Sequence, residues 1–148
     1  MSYRIPITYI DIRVIAHATE DFEKVIEAVH NTLPKSLLNS ISFKKTLLKG
    51  HYKNQIMLIQ ARIRDKEKTK LILEKLGLKI SATEKATLNS SFEAHLDKGD
   101  LYIRLDKQSA YLNKIMLSPN DSIHFRVHFT KSNPQELRRI CRDAGLIQ

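Results

Sequence analysis

A single cysteine in 148 residues, Cys141, rules out an internal disulfide and any structural zinc site that needs two or more thiolates. Glycine is scarce as well. The four glycines stand at 50, 77, 99 and 145, too far apart for a phosphate loop or a GxGxxG turn, where close-spaced glycines let backbone amides reach a phosphate. No apolar run approaches the ~18–20 residues that span a bilayer, and the opening MSYRIPITYI lacks the order of a signal peptide, so a cytoplasmic protein without a membrane partner is expected. Low-complexity segments, Pro/Gly/Ser-rich linkers and internal repeats are also missing, and residues 1–148 read as one domain. Acidic residues are in deficit: 16 Asp and Glu against 25 Lys and Arg leave a formal net charge of +9. Such a surplus favours a polyanionic partner, nucleic acid before an anionic membrane.

What is present is well patterned. Tyr3 to Ala18 reads as one long strand or two with a break. Ile5 and Ile7 and then Ile10, Ile12, Val14 and Ala16 face inward, and the change of parity near Tyr9 predicts a bulge. Thr19 is the expected N-cap of a helix with Phe22, Val25, Ile26 and Val29 on one stripe, ending before Pro34. Ile41 to Lys49 and Gln55 to Arg64 form a predicted hairpin across Gly50-His51-Tyr52-Lys53-Asn54. A helix over Lys68 to Leu76 is expected to end at Gly77 as a left-handed cap, and Ser81 to Glu84 has capping-box spacing for the next helix. Leu101 to Asp106 and Asp121 to Phe129 read as strands, the second alternating Ile123, Phe125, Val127 and Phe129 with His124, Arg126 and His128. Asn133-Pro134 opens a last helix that stops before Gly145. One-sided helices and half-buried strands predict an α+β fold, two layers, with helices on one face of a mainly antiparallel sheet.

The other sheet face would carry Arg13, His17, Tyr102, Arg104, His124, Arg126 and His128 if the registers agree. Guanidinium and imidazole groups pair with phosphates, and Arg and Tyr planes stack on unpaired bases. A solvated sheet face uses the same residues. A second basic group, Lys44, Lys45, Lys49, His51, Tyr52, Lys53, Arg62 and Arg64, clusters on the hairpin, where lysine also serves to protect an edge strand. Catalytic patterns are weaker. His124 and His128 stand about 13 Å apart along a strand and cannot share a metal. Cys141 keeps helical step with Leu137, Ile140 and Ala144 and reads as core. Asp97, Asp100 and Asp106 are the residues that could hold Mg²⁺ for RNA cleavage.

Leu101-Tyr-Ile-Arg-Leu-Asp-Lys-Gln-Ser-Ala-Tyr111, followed by the strand Ile123 to Phe129, resembles the archaeal RNA-binding family described as a candidate exosome subunit. Ala16-His17-Ala18-Thr19-Glu20-Asp21 and the turn Gly50 to Asn54 are similar to the same family. The chain departs from it with Lys53 and Asn113 at positions where relatives carry glycine, of which Asn is the residue that tolerates a left-handed backbone. The resemblance implies RNA binding, association with exosome or ribosomal components, and a fold like the large-subunit ribosomal protein that binds the smallest ribosomal RNA. Within the strongest motif, Tyr102, Arg104, Lys107 and Gln108 would be free to meet a ligand, with Asp106 paired to Arg104 or Lys107.

The resulting expectation is a non-catalytic RNA-binding protein without cofactor or metal, its contacts made by Lys44, Lys45, Lys49, His51, Tyr52, Arg62, Arg104, Lys107 and Arg126. The alternative is a protein-interaction subunit, homodimeric through a strand edge or an apolar helix face. A Mg²⁺-dependent ribonuclease using Asp97, Asp100 or Asp106 is the third reading.

Overall fold

A computed structural model describes residues 6–49 and 54–148. Ile5 of the expected first strand, and Gly50, His51, Tyr52 and Lys53 of the hairpin turn, lie outside the described residues. Six strands form one antiparallel sheet in the order β2-β3-β1-β6-β5-β4. They are β1 (Ile7–Ala16), β2 (Lys44–Lys49), β3 (Gln55–Ile63), β4 (Leu96–Asp97), β5 (Asp100–Asp106) and β6 (Ser122–Phe129). The helices α1 (Phe22–Asn31), α2 (Lys66–Lys79), α3 (Ala82–Ser90), α4 (Lys107–Tyr111) and α5 (Pro134–Asp143) accompany it, packed on one side as the alternation requires.

The parity break is where the sequence puts it. Ile7 and Ile10 are both buried, and the β1–β6 register shifts between Ile7 and Tyr9. From Ile10 onward, Ile12, Val14 and Ala16 point into the core against Phe125, Val127, Ile59 and Ala61, with the helices above them. Burying apolar area at ~25 cal/mol per Å² is the main stabilising term for such a layer.

Several local expectations are corrected. Asp21, not Thr19, caps α1, its carboxylate accepting from the Glu23 amide at 2.9 Å. The Glu20 side chain instead accepts from the His17 amide at 2.9 Å, so Ala18 and Thr19 belong to a turn before the helix. Gly77 does not end α2. The helix runs through it to Lys79, and the glycine is required by space: a Cβ there would lie 2.6 Å from the Ala144 carbonyl oxygen and 2.8 Å from the Gly145 carbonyl carbon. Ser81 does cap α3, but the Glu84 carboxylate reaches the Leu117 amide at 2.7 Å and pins the segment before β6. Asp106 pairs with neither Arg104 nor Lys107. It caps the unforeseen α4, accepting from the Ser109 amide at 2.9 Å and its hydroxyl at 2.7 Å. Asn113 takes φ of 66°, the left-handed backbone its residue type permits.

Lys107 is the largest correction. It is 8% exposed, and its ammonium donates to the Ile15 carbonyl at 2.8 Å and to Glu20 Oε1 at 2.9 Å, with Asp121 Oδ1 at 3.0 Å. One cation thus joins the end of β1, the entry to α1 and the start of β6. Burial works against the Asp121 charge, yet hydrogen bonds from Lys107 and His17, and their charges, outweigh it and hold the carboxyl below its ordinary value.

Two outcomes follow. Gly77→Ala gains helix propensity but loses more to overpacking against α5, and we expect a net destabilisation of about 1–3 kcal/mol in urea melts. Lys107→Met leaves Glu20 and Asp121 facing each other without their cation. We expect a loss of about 1–3 kcal/mol at pH 7 that shrinks as the pH falls through the lowered range in which the Asp121 carboxyl of the parent takes up its proton, read by chemical denaturation across pH.

Candidate nucleic-acid interface

The face of the sheet away from the core is built by cross-strand registers. Lys44 opposes Gln60, Gln60 opposes Arg13, Arg13 opposes His124, and His124 opposes Arg104, so one row crosses five strands. The next row runs Arg62, Asp11, Arg126, Tyr102. Tyr9, His128 and Asp100 make a third. Five cations, one from each of β2, β3, β1, β6 and β5, therefore share a surface with the carboxylates Asp11 and Asp100. Between them lies a shallow concavity of about 550 Å³ lined by Arg13, Lys44, Gln60, Arg62, Tyr102, His124 and Arg126. A second depression, of about 530 Å³, adjoins it at Tyr102 and is lined by Arg104, Glu84 and Thr87 of α3, Leu117 and Pro119.

The cations divide into held and unheld groups. Arg62 makes a bidentate pair with Asp11, Nε to Oδ1 at 2.6 Å and Nη2 to Oδ2 at 2.8 Å, and its guanidinium lies 4.1 Å from the Tyr9 ring centroid. Arg126 donates to Asp100 Oδ2 at 2.8 Å, and His128 Nδ1 bonds the other oxygen of that buried carboxylate. The His128 ring stacks on Tyr9 with centroids 4.7 Å apart. The hydrogen bond that Arg62 donates to Asp11 raises its pKa, and the one that Arg126 donates to Asp100 does the same there. Arg13, Arg104 and Lys44, by contrast, have no carboxylate within ion-pair distance among the described residues. His124 sits between two of them. Its burial first, then the charges of Arg104 and Arg13, push its pKa below the ordinary value and favour a neutral ring.

The predicted contact residues thus separate. Lys44, Arg62, Arg104 and Arg126 meet on the open face. Lys45 and Lys49 pair with Ile59 and Gln55 and so lie on the opposite side of β2, Lys45 beside Ile26, Val29 and His30. Lys107 is spent inside the fold, and His51 and Tyr52 are outside the described residues. Of the residues expected on this face, His17 sits at the end of β1 and bonds Asp121 at 3.0 Å. Tyr9 and Asp11 were not anticipated there. The parity break was the available signal, because shifting the alternation after Ile7 turns Tyr9 and Asp11 outward.

The other candidate chemistries do not assemble. Asp97 and Asp100 are register partners, but Asp100 is bound by Arg126 and His128, while Asp106 lies six residues along β5, about 20 Å away, as a helix cap. His17, Glu20 and Asp121 have ligand atoms within 4.8 Å of one another, yet the Lys107 ammonium already pairs with both carboxylates of that group and occupies the space between them. Burial pushes the Cys141 thiol up to about 12, which suits a core residue and not a nucleophile.

A family model described as RNA binding matches residues 9–129. RNA-binding protein PAB1135 of Pyrococcus abyssi is 35% identical over 121 residues, covering 80% of this chain and 79% of its own length. Two solved structures assigned to the DUF54 family have the same fold. Protein AF2318 from Archaeglobus fulgidus has a TM-score of 0.77 at 25% identity over 93% of this chain and 99% of its own. SSO0741 from Sulfolobus solfataricus has a TM-score of 0.77 at 25% identity, over 91% and 98%. The strands that carry the face, from Tyr9 in β1 to Phe129 in β6, are thus the part of the molecule the family model spans, and the chain belongs to this RNA-binding family.

Proposed function

We propose that the chain is a non-catalytic RNA-binding protein that holds RNA against the open sheet face. The observation that carries this reading is the set of cations Lys44, Arg13 and Arg104, projecting from three strands with no carboxylate to neutralise them. Arg62 and Arg126, held flat by Asp11 and Asp100, give the surface a fixed shape, and phosphates bound to the unheld cations set the register of the strand. Tyr102 is half-buried and has no ring partner among the described residues, so it offers a stacking plane to an unpaired base. Membership of an RNA-binding family supports the same reading.

The finer assignment, to an exosome or to ribosomal components, rests on the resemblance of the Leu101 to Tyr111 segment. Recovery of exosome subunits with the tagged protein after nuclease treatment is its test. The protein-interaction reading draws on Leu47 and Leu48, 60% and 46% exposed on the outer strand β2. Lys44, Lys45 and Lys49 on the same strand work against its pairing with a second copy, so RNA binding is favoured.

Titration of labelled single- and double-stranded RNA across a salt series tests the proposal. Lys44→Ala with Arg104→Ala should lower affinity and flatten the slope of log K against log salt by about one unit per lost phosphate contact. Lys45→Ala with Lys49→Ala, on the other side of β2, should cost less. Equal losses from the two pairs would show that net charge alone binds RNA and would overturn the assignment to this face.

A further inference from the structure

Ser122 is the residue whose buried side-chain oxygen lacks a hydrogen-bond partner among the described residues. It is 4% exposed. Buried polar atoms are satisfied as a rule, so an orphan hydroxyl calls for a ligand or a water. Strand alternation puts Ser122 on the same face as His124, and the two line a depression of about 270 Å³ with Arg13, Ile15 and Asp121. His124 stands in register with Arg13 on one side and Arg104 on the other.

The charges around this depression are unevenly satisfied. From β5, Asp106 opposes Ser122, but its carboxylate is taken by the Ser109 amide and hydroxyl. Asp121, just before β6, is held by Lys107 and His17 at 3.0 Å each. The arginines have no such partners. The Ser122 hydroxyl, the Arg13 guanidinium and the His124 imidazole line the depression, and Arg104 stands in register beyond His124; together they make the donor set a tetrahedral oxyanion needs, with the one lining carboxylate, Asp121, already paired.

We propose that Arg13, Ser122 and His124, with Arg104 beside them, form a phosphate-binding subsite at the β6 end of the open face. The ligand is a phosphate group of RNA, an internal diester or a terminal monoester, and in that respect the proposal rests on the function proposed above. Ser122 Oγ and the two guanidinium groups donate to the phosphate oxygens. An anion there offsets the charges of Arg13 and Arg104 that disfavour a third cation, so the His124 ring takes up a proton as the phosphate binds. The sign follows: affinity for a phosphodiester, whose own charge is constant, rises as pH falls from 8 towards 6.

The test follows the His124 ring by NMR across pH, with and without inorganic phosphate, in the parent protein and in Ser122→Ala and Arg13→Gln. Phosphate should move the His124 signals and raise its titration midpoint. Each variant should weaken phosphate binding by about tenfold, the loss expected for a hydrogen bond to a charged group. Arg13 is exposed, so Arg13→Gln keeps the test open if Ser122→Ala fails to fold. Oligoribonucleotides with a 5′-phosphate, a 3′-phosphate or neither then identify the source. Binding that needs a terminal phosphate assigns the monoester, and equal binding of all three assigns the diester. His124 titration unchanged by phosphate, or both variants binding phosphate like the parent, would overturn the subsite. RNA bound through Lys44 and Arg62 with His124 unmoved would also overturn it while leaving the RNA reading intact. Phosphate captured without any RNA binding would do the reverse.

Discussion

β1 is hydrogen-bonded along both sides, to β3 and to β6, and its alternation therefore decides what all three strands present outward. The extra residue near Tyr9 is what reconciles its two ends. Ile7 and Ile10 both enter the core, which alternation without a bulge would forbid, and Tyr9, Asp11 and Arg13 are left on the outer surface. Their partners follow by register: Arg62 and Gln60 from β3, and His128, Arg126 and His124 from β6. A one-residue slip anywhere in this strand would exchange the apolar and cationic sets. The cost of burying those arginines makes the register self-correcting.

Strands with clean alternation were legible in the sequence because each residue's environment is set by its own parity. β6 is the clearest case, with Ile123, Phe125, Val127 and Phe129 buried as their spacing demands. Features that depend on a distant partner were not legible. Gly77 resembles a helix terminator in sequence, and only the approach of Ala144 and Gly145 shows that it is a contact point inside the helix. Lys107 resembles a free cation beside Arg104. Nothing local reveals that the Ile15 carbonyl, Glu20 and Asp121 converge on it from three other segments. The basic hairpin divides between two faces for a simpler reason: Lys44 and Lys45 are neighbours in sequence and on opposite faces in a strand.

The positive charge of the chain is accordingly divided by role. Lys107 stabilises the junction of β1, α1 and β6 and contributes nothing to the outer field. Arg62 and Arg126 are partly neutralised by Asp11 and Asp100 and act as rigid struts around Tyr9. Arg13, Arg104 and Lys44 keep their charge for the solvent side. Net charge measures attraction to any polyanion, whereas under the proposed function this division is what sets where RNA settles and in what orientation.

The sheet order has a temporal consequence. The hairpin of β2 with β3 and that of β4 with β5 join neighbouring segments, but one side of β1 must wait for β6, the last strand among the described residues. Pairing of sequence-distant strands is the slow part of such folds. During synthesis the rows that cross from Arg13 to His124 and on to Arg104 do not exist until β6 has left the ribosome. A nascent chain thus emerges among ribosomal RNA with its arginines dispersed, and gathers them into one surface only after β6 has followed the other five strands.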